Sequence, residues 1–417
     1  VLNKQAGEVD EREGSEMSRE DVYMDYNATT PLHPAVTRAL IESFSMYGNA
    51  SSMHTPGREA RAKIEESREA VAAFIGAGPE EIIFTGGGSE SNNTVLKLMT
   101  CTDSDCRRCP ATRREIITSA IEHPSVLNTI RILRGRGITC HIIGVDETGK
   151  IDLREFEEKI SDKTGLVSIM MANNEIGTIQ DIKAISRIAR EHGTLVHTDA
   201  VQALGKVPVD ARELDVDFMS FSGHKLYGPK GIGGLYTRRG SPYCTLIHGG
   251  HQEDGRRAGT LNTTGIIGLG AAVEAAADFE AEAKREAELR DMLLCGIEAS
   301  IPDISVNGHP TDTLPGTLNV SFAGAEGEAI LLYLDMEGIY VSTGSACASG
   351  SLDPSHVLLA TGMDAELAHG SIRFSLGREN TQEDVAYVLE KLPEVIQRIR
   401  SMSTVYADSK RKAGTIS

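Results

Sequence analysis

Two stretches hold residues whose types and spacing could do chemistry together. The first, HTDAVQALGK at 197–206, sets Asp199 at the end of an apolar run. The second, SFSGHKLYGPKG at 220–231, sets Lys225 between a histidine and Gly/Pro-rich turns. A buried carboxylate at a strand end can keep a pyridine nitrogen protonated, and a lysine in such a turn can form a Schiff base. Catalysis by pyridoxal phosphate needs both. Taken singly, Asp199 reads as well as a helix cap and Lys225 as a surface charge. A third stretch, FTGGGSESNN at 84–93, is a strand, three glycines and then Ser89, which is expected to cap a helix. Glycine lets backbone N–H groups approach an anion and a helix N-terminus adds partial positive charge, so Gly88 and Ser89 suit a phosphate. The spacing matches neither GxGxxG nor GxxxxGK(S/T), and alone such a segment is more often only a turn.

The cysteines offer two further possibilities. Cys347 stands in VSTGSACASGSLDPSH, among small residues and ahead of Pro354, which reads as a loop able to carry a nucleophile rather than as core. Cys101, Cys106 and Cys109 follow a C-x4-C-x2-C spacing within CTDSDCRRCPATRR at 101–114. They could give three thiolates to zinc or an iron–sulfur cluster, with Cys140 or a second subunit as the fourth ligand, or they could be incidental thiols of an exposed loop.

The elements that must position these residues are legible as alternating apolar runs and amphipathic helical patterns. Seven runs, EIIFT (81–85), EIITSA (115–120), TCHIIGV (139–145), GLVSIMMA (165–172), TLVHTDA (194–200), VDFMSFS (216–222) and GIGGLYT (231–237), predict a mostly parallel α/β sheet covered by helices. Residues 21–262 are expected to form this large domain. From 263 the chain turns Ala/Glu-rich, and the strands LNVSFA (318–323) and SIRFSL (371–376) with flanking helices predict a smaller α+β domain over 263–417. That domain holds the Cys347 loop at 342–354, and the segment near 21–35 packs on it. Residues 1–20 read as a disordered leader, with Met17 as an alternative start.

Composition narrows the function classes. The net charge of −18 and the lack of any Lys/Arg block argue against a nucleic-acid or anionic-membrane surface. No run of 18 apolar residues suggests a membrane span, and the polar start has no apolar signal core, so a cytoplasmic protein is expected. Seven cysteines, an odd number over a long chain, suit free thiols better than a disulfide framework.

With these motifs in hand, the sequence resembles the NifS/IscS-type cysteine desulfurases of the class V aminotransferase family, which have the PLP-dependent transferase fold type I. The resemblance runs from about Val22 to Gln397. Besides the motifs above it includes MDYNATTPLHPAV (24–36), GNASSMHTPGREA (48–60), IEHPSV (121–126), MANNEIGTIQ (171–180), GRRAGTLNT (255–263) and RFSLGREN (373–380). It implies that Lys225 carries the cofactor and moves substrate protons, that His123 stacks on the pyridine ring, and that Asp199 and Gln202 serve the ring nitrogen and the phenolic oxygen. Gly88, Ser89, Ser222, Gly223 and His224 would hold the phosphate, joined by Thr260 from a neighbouring subunit of a homodimer. Asn174 and Arg373 would grip the carboxylate of L-cysteine, and Cys347 would take its sulfur as a persulfide, leaving alanine. The persulfide would pass to an IscU-like iron–sulfur scaffold protein or another thiolation pathway, and through it Cys347 could share a transient 2Fe-2S cluster or other metal. The chain departs from the family at Gly86, Gly88 and His251 and in the cysteine-bearing insert. Selenocysteine lyase, another transferase on the same scaffold, and a non-catalytic scaffold-docking protein are the competing readings. Transamination has no use for Cys347, which separates the cysteine desulfurase reading from an aminotransferase.

Overall fold

The computed structural model describes residues 21–101, 113–343, 353–402 and 406. The expected leader 1–20, Cys106, Cys109 and Cys347 lie outside the described residues. Its strands are β1 (Val22–Tyr23), β2 (Ile82–Thr85), β3 (Glu115–Ser119), β4 (Thr139–Ile143), β5 (Thr164–Ser168), β6 (Leu195–Asp199), β7 (Phe218–Ser222), β8 (Gly233–Thr237), β9 (Ile304–Asn307), β10 (Thr317–Phe322), β11 (Ile339–Tyr340) and β12 (Ser371–Ser375). The helices are α1 (Pro34–Ser43), α2 (Thr55–Phe74), α3 (Gly88–Leu96), α4 (Pro124–Gly135), α5 (Leu153–Lys159), α6 (Ile182–Glu191), α7 (Thr263–Ala275), α8 (Phe279–Ser300), α9 (Gly327–Met336), α10 (His356–Ala360), α11 (Ala365–His369) and α12 (Gln382–Met402).

Seven strands form one sheet in the order β2-β8-β7-β6-β5-β3-β4. Only β8 runs against its neighbours β2 and β7, and the other pairings are parallel. Strands β5 and β7 are buried at every residue, as expected of strands covered by helices on both faces. In such sheets ligands gather at the carboxyl ends of the parallel strands. Here those ends lead directly into the residues of interest: β2 into Gly87 and Gly88, β3 into His123, β5 into Asn174, β6 into Asp199 and β7 into Lys225.

The second body is built on the antiparallel sheet β12-β10-β9 and the parallel pair β1-β11. Its core joins Val22 and Met24 to Leu293, Val320, Phe322, Ile330, Phe374 and Val388. The chain's first described strand thus packs with its last third. The boundary expected at 263 needs a correction. Ile266, Leu269 and Val273 of α7 lie in the core of the large sheet, and the chain joins the second core only in α8, through Leu289, Leu293 and Ile297. Small residues explain this packing: a β-carbon at Gly270 would sit 2.7 Å from Ser67 Oγ on α2, and one at Gly268 would sit 2.8 Å from Leu40 on α1.

Candidate active site

The strand ends converge on a cavity of about 300 Å³. Of the residues expected from sequence, Gly88, Ser89, His123, Asn174, Asp199, Gln202, Ser222, His224, Lys225 and Arg373 line it. Gly223 lies buried in the short turn between Ser222 and His224. Thr260 is exposed and does not line the cavity. Asn27, Ala28, Asn92, Ser125, Met170, Ala172 and Val201 also line it, and sequence reasoning assigns no role to any of them.

Asp199 is held from two sides. Its Oδ1 accepts from the Val201 N–H at 3.0 Å, and its Oδ2 accepts from Asn92 Nδ2 at 2.6 Å. Asn92 Nδ2 also donates to Ser125 Oγ at 2.9 Å, and that hydroxyl lies 2.8 Å from His123 Nδ1. Nδ1 accepts the Ser125 backbone N–H as well, as the cap of α4, which leaves the proton of a neutral ring on Nε2. His123 is therefore both a helix cap and a wall of the cavity. Burial lowers its pKa, nearby Asp199 opposes that, and Lys225 and His356 add to it, so the ring is neutral at neutral pH.

The phosphate-suited turn is built differently from expectation. The cap of α3 is Gly87, at φ +143°, and Ser89 lies inside the first turn rather than capping it. That φ is open to glycine and strained for other residues. At Gly88 a β-carbon would come within 2.6 Å of Val201 Cγ2, so a larger residue there would need the Val201 side chain to shift. Ser222 and His224 close the same corner, where an outer cleft continues toward Lys230 and Gly231. His224 is pushed down to about 4 by burial and by the charges of Lys225 and Lys230, so at neutral pH it offers one N–H and no charge.

Lys225 donates from Nζ to the carbonyl oxygens of Asn27 and Ala28, at 2.5 and 2.7 Å. Arg373, almost fully buried, donates to Asn174 O at 2.9 Å and to the Asp25 carboxylate at 2.6 Å, while its Nε has no partner among the described residues. Asn92 Oδ1 is likewise buried and unpaired. Unpaired buried polar atoms are costly and point to a missing ligand. A cavity of this size with a carboxylate, a lysine, a helix start that no side chain caps, with hydroxyls beside it, and an arginine fits pyridoxal phosphate and a bound amino acid. Among the described residues no group of three His, Cys, Asp or Glu side chains is placed to hold a metal; Cys101 and Cys140 are free thiols.

Fold and site together define a fold-type I pyridoxal-phosphate protein. Comparison narrows this: the Aminotransferase class-V family profile matches residues 22–388, and the chain belongs to that family. It is similar to "Cysteine desulfurase IscS" of Dictyoglomus turgidum (strain DSM 6724 / Z-1310), with 48% identity over 387 residues, 92% of this chain and 97% of that protein. The protein of the same name from Methanosarcina thermophila is 47% identical, over 94% of this chain and 96% of its own length. Among solved structures, a NifS-like protein superposes with a TM-score of 0.84 at 41% identity, covering 91% of this chain and all of that one. "SspA in complex with cysteine" gives 0.75 at 35% identity, over 86% and 100%.

Proposed function

We infer that the chain is a pyridoxal-phosphate-dependent cysteine desulfurase, which takes sulfur from L-cysteine and leaves L-alanine. The carrying observation is the convergence of Lys225, Asp199, His123 and Arg373 on one cavity, in a chain nearly half identical to proteins named cysteine desulfurase. Lys225, Asp199, His123, Gln202, Ser222, Gly223, His224 and the Gly88–Ser89 turn are the residues that would hold the cofactor. When bound, pyridoxal phosphate supplies an electron sink for charge left on substrate carbon.

The side chains divide the remaining work. Asp199, fixed by Asn92 and the Val201 N–H, holds a proton at the ring nitrogen. His123, neutral, covers the ring without adding charge. Arg373 and Asn174, which both line the cavity, orient the substrate through its carboxylate. Lys225 Nζ removes the proton from the substrate's α-carbon. The Cys347 thiolate then forms an S–S bond to the substrate sulfur as the C–S bond breaks. The electron pair remains with carbon, which takes up a proton and departs as alanine, and Cys347 keeps the persulfide. An IscU-like iron–sulfur scaffold or another thiolation pathway is the acceptor in this reading, and the cytoplasm its place. No described helix is long and apolar enough to cross a membrane.

The active unit in this reading is a homodimer. Thr260 is exposed away from its own cavity, and Phe44, Tyr47 (86% exposed) and Met53 (89%) present large apolar side chains on one connected segment, a surface suited to burial between copies. Thr260 would then complete the phosphate site of the neighbouring copy.

Adding L-cysteine to the yellow holoenzyme and assaying alanine and sulfide tests the function. Wild type is expected to make both, while Cys347→Ala keeps the visible cofactor band and loses turnover. Equal rates in the two proteins would remove Cys347 as acceptor and favour another lyase reaction on this fold. A chain that binds no cofactor would be a docking partner instead.

A further inference from the structure

The motif HTDAVQALGK ends in a lysine to which neither the spacing nor the mechanism above gives a role. Lys206 reaches back toward the site. Its Nζ donates to Gln202 Oε1 at 3.0 Å and to Asn27 Oδ1 at 2.9 Å. An ammonium offers donors only, so both side-chain amides must turn their oxygens toward Lys206 and their NH₂ groups away. That polarity is realised in the rest of the network. Gln202 Nε2 donates to Asn27 O at 2.9 Å, and Asn27 Nδ2 donates to Thr317 Oγ1 at 2.8 Å and to Asn174 O at 3.2 Å. The Asn27 carbonyl is also where Lys225 Nζ rests. One part-buried lysine therefore sets which atom Gln202 presents to the cavity, and holds the backbone acceptor of Lys225 through the side chain of the same residue.

We propose that Lys206 is a positioning residue of the active site, which fixes the amides of Gln202 and Asn27 and places a positive charge behind Lys225. The proposal rests on the pyridoxal-phosphate reading of the site. Turned this way, Gln202 shows an N–H donor, the group required beside an anionic ring oxygen. A flipped amide would set oxygen against oxygen. The surroundings make the charge conditional. A small cavity beside Lys206 is lined by Lys225, Glu286, Glu282, Arg378, Tyr26 and Tyr227. Burial, with the charges of Lys225 and Arg373, pulls Lys206 down to about 7, and Glu286 is the anion that opposes this. Burial in turn pushes Glu286 up to about 7.

The test compares holoenzymes of wild type, Lys206→Met, Lys206→Arg, Gln202→Met and the Lys206→Met/Gln202→Met double variant. The readouts are the pH midpoint of the change in the bound cofactor's visible band and the affinity of the apoprotein for pyridoxal phosphate. Loss of a nearby cation raises proton affinity at Lys225, so Lys206→Met is expected to move the midpoint up by about 0.5–1 unit and to weaken cofactor binding about tenfold, roughly the worth of one buried hydrogen bond. Lys206→Arg keeps charge and donors and should hold the wild-type midpoint, and it carries the test if the methionine variant does not fold. In the Gln202→Met background, the loss of affinity caused by Lys206→Met should shrink. A folded Lys206→Met protein with wild-type midpoint and affinity would overturn the proposal, as would additive losses in the double variant or a shift in Lys206→Arg as large as that expected for methionine. Because these readouts need no L-cysteine, a wild type that binds cofactor but makes no alanine would defeat the desulfurase reading while the role of Lys206 would still stand or fall on its own midpoint and affinity.

Discussion

Asn92 and Glu122 show how much of the site rests on side chains that touch no reacting atom. Asn92 donates to both Asp199 and Ser125, so Asn92→Ala leaves a buried carboxylate oxygen without its donor and removes the donor to the Ser125 hydroxyl that holds His123. A loss of about 1–3 kcal/mol in urea denaturation is expected, together with faster loss of cofactor on dialysis; wild-type behaviour in both would show that Asp199 needs no such support. Glu122, fully buried beside His123, accepts from Ser119 Oγ and the Met170 N–H through one oxygen only. Burial outweighs those bonds and pushes its carboxyl up to about 8 from the ordinary 4.5. The folded state thus holds this proton more tightly than the unfolded chain. The resulting stabilisation is full below pH 4.5 and is lost as pH rises from there through about 8. Glu122→Gln keeps the shape without the titration. Its melting temperature relative to wild type should therefore climb across that window, by about 2–4 °C at the alkaline end, whereas a constant difference would mean Glu122 is ionised in the fold.

Between elements, α2 is tied to the rest of the fold by the buried pair of Arg68 and Glu253, joined through both guanidinium Nη atoms at 2.8 and 2.6 Å. Glu253 also accepts the Phe84 N–H within β2, just ahead of the glycine turn, and Arg68 donates to Ile82 O, so helix, strand and the turn leading to Thr260 meet at one point. Arg68→Met strands a buried charge and should cost about 3–5 kcal/mol. Arg68→Met/Glu253→Gln, which keeps an acceptor for Phe84 without the charge, should cost clearly less; equal denaturation midpoints for the two would mean that the charge is not what matters. Elements of this kind are legible in the sequence to different degrees. The seven apolar runs form the seven strands; the inner ones are covered on both faces, while the edge strand β4 buries only Ile143, and GLVSIMMA leaves the sheet after Ser168, where the chain turns toward the cavity. Asp199 and Lys225 are legible because strand ends and glycine turns carry local signals. Asn27, Asn92 and Lys206 are not, since an isolated amide or lysine carries no period and its partners come from distant segments: Lys206 and Asn27 are 179 residues apart. The helix cap falls on Gly87 rather than Ser89, and three adjacent glycines do not reveal which one takes the positive φ. The Ala/Gly-rich pattern of α7 announces a helix but not the body on which it packs.

At the scale of the whole molecule, the proposed dimer makes a prediction that neither subunit can satisfy alone. Lys225→Ala removes the lysine from a copy's own site, while Thr260→Ala affects the site of its neighbour. Refolding the two inactive or weakened variants together should regenerate one intact site in each mixed dimer, at about half the wild-type turnover per mixed dimer by site counting; no recovery on mixing would place Thr260 outside the neighbour's site. The segment from Val22 to Asn27 ties the site to the order in which the chain is made. It pairs with Ile339 and Tyr340, bridges to Ser375, and through Asn27 meets Lys225, Gln202 and Lys206. The first part of the site to leave the ribosome is thus the last to find its place. At ordinary elongation rates it waits on the order of 20–70 s for its partners to be synthesised. During that interval the large sheet can form, but the floor beneath Lys225 is absent. Firm capture of the cofactor therefore belongs to the end of translation, and a nascent chain stalled before residue 339 should release pyridoxal phosphate that the finished chain retains.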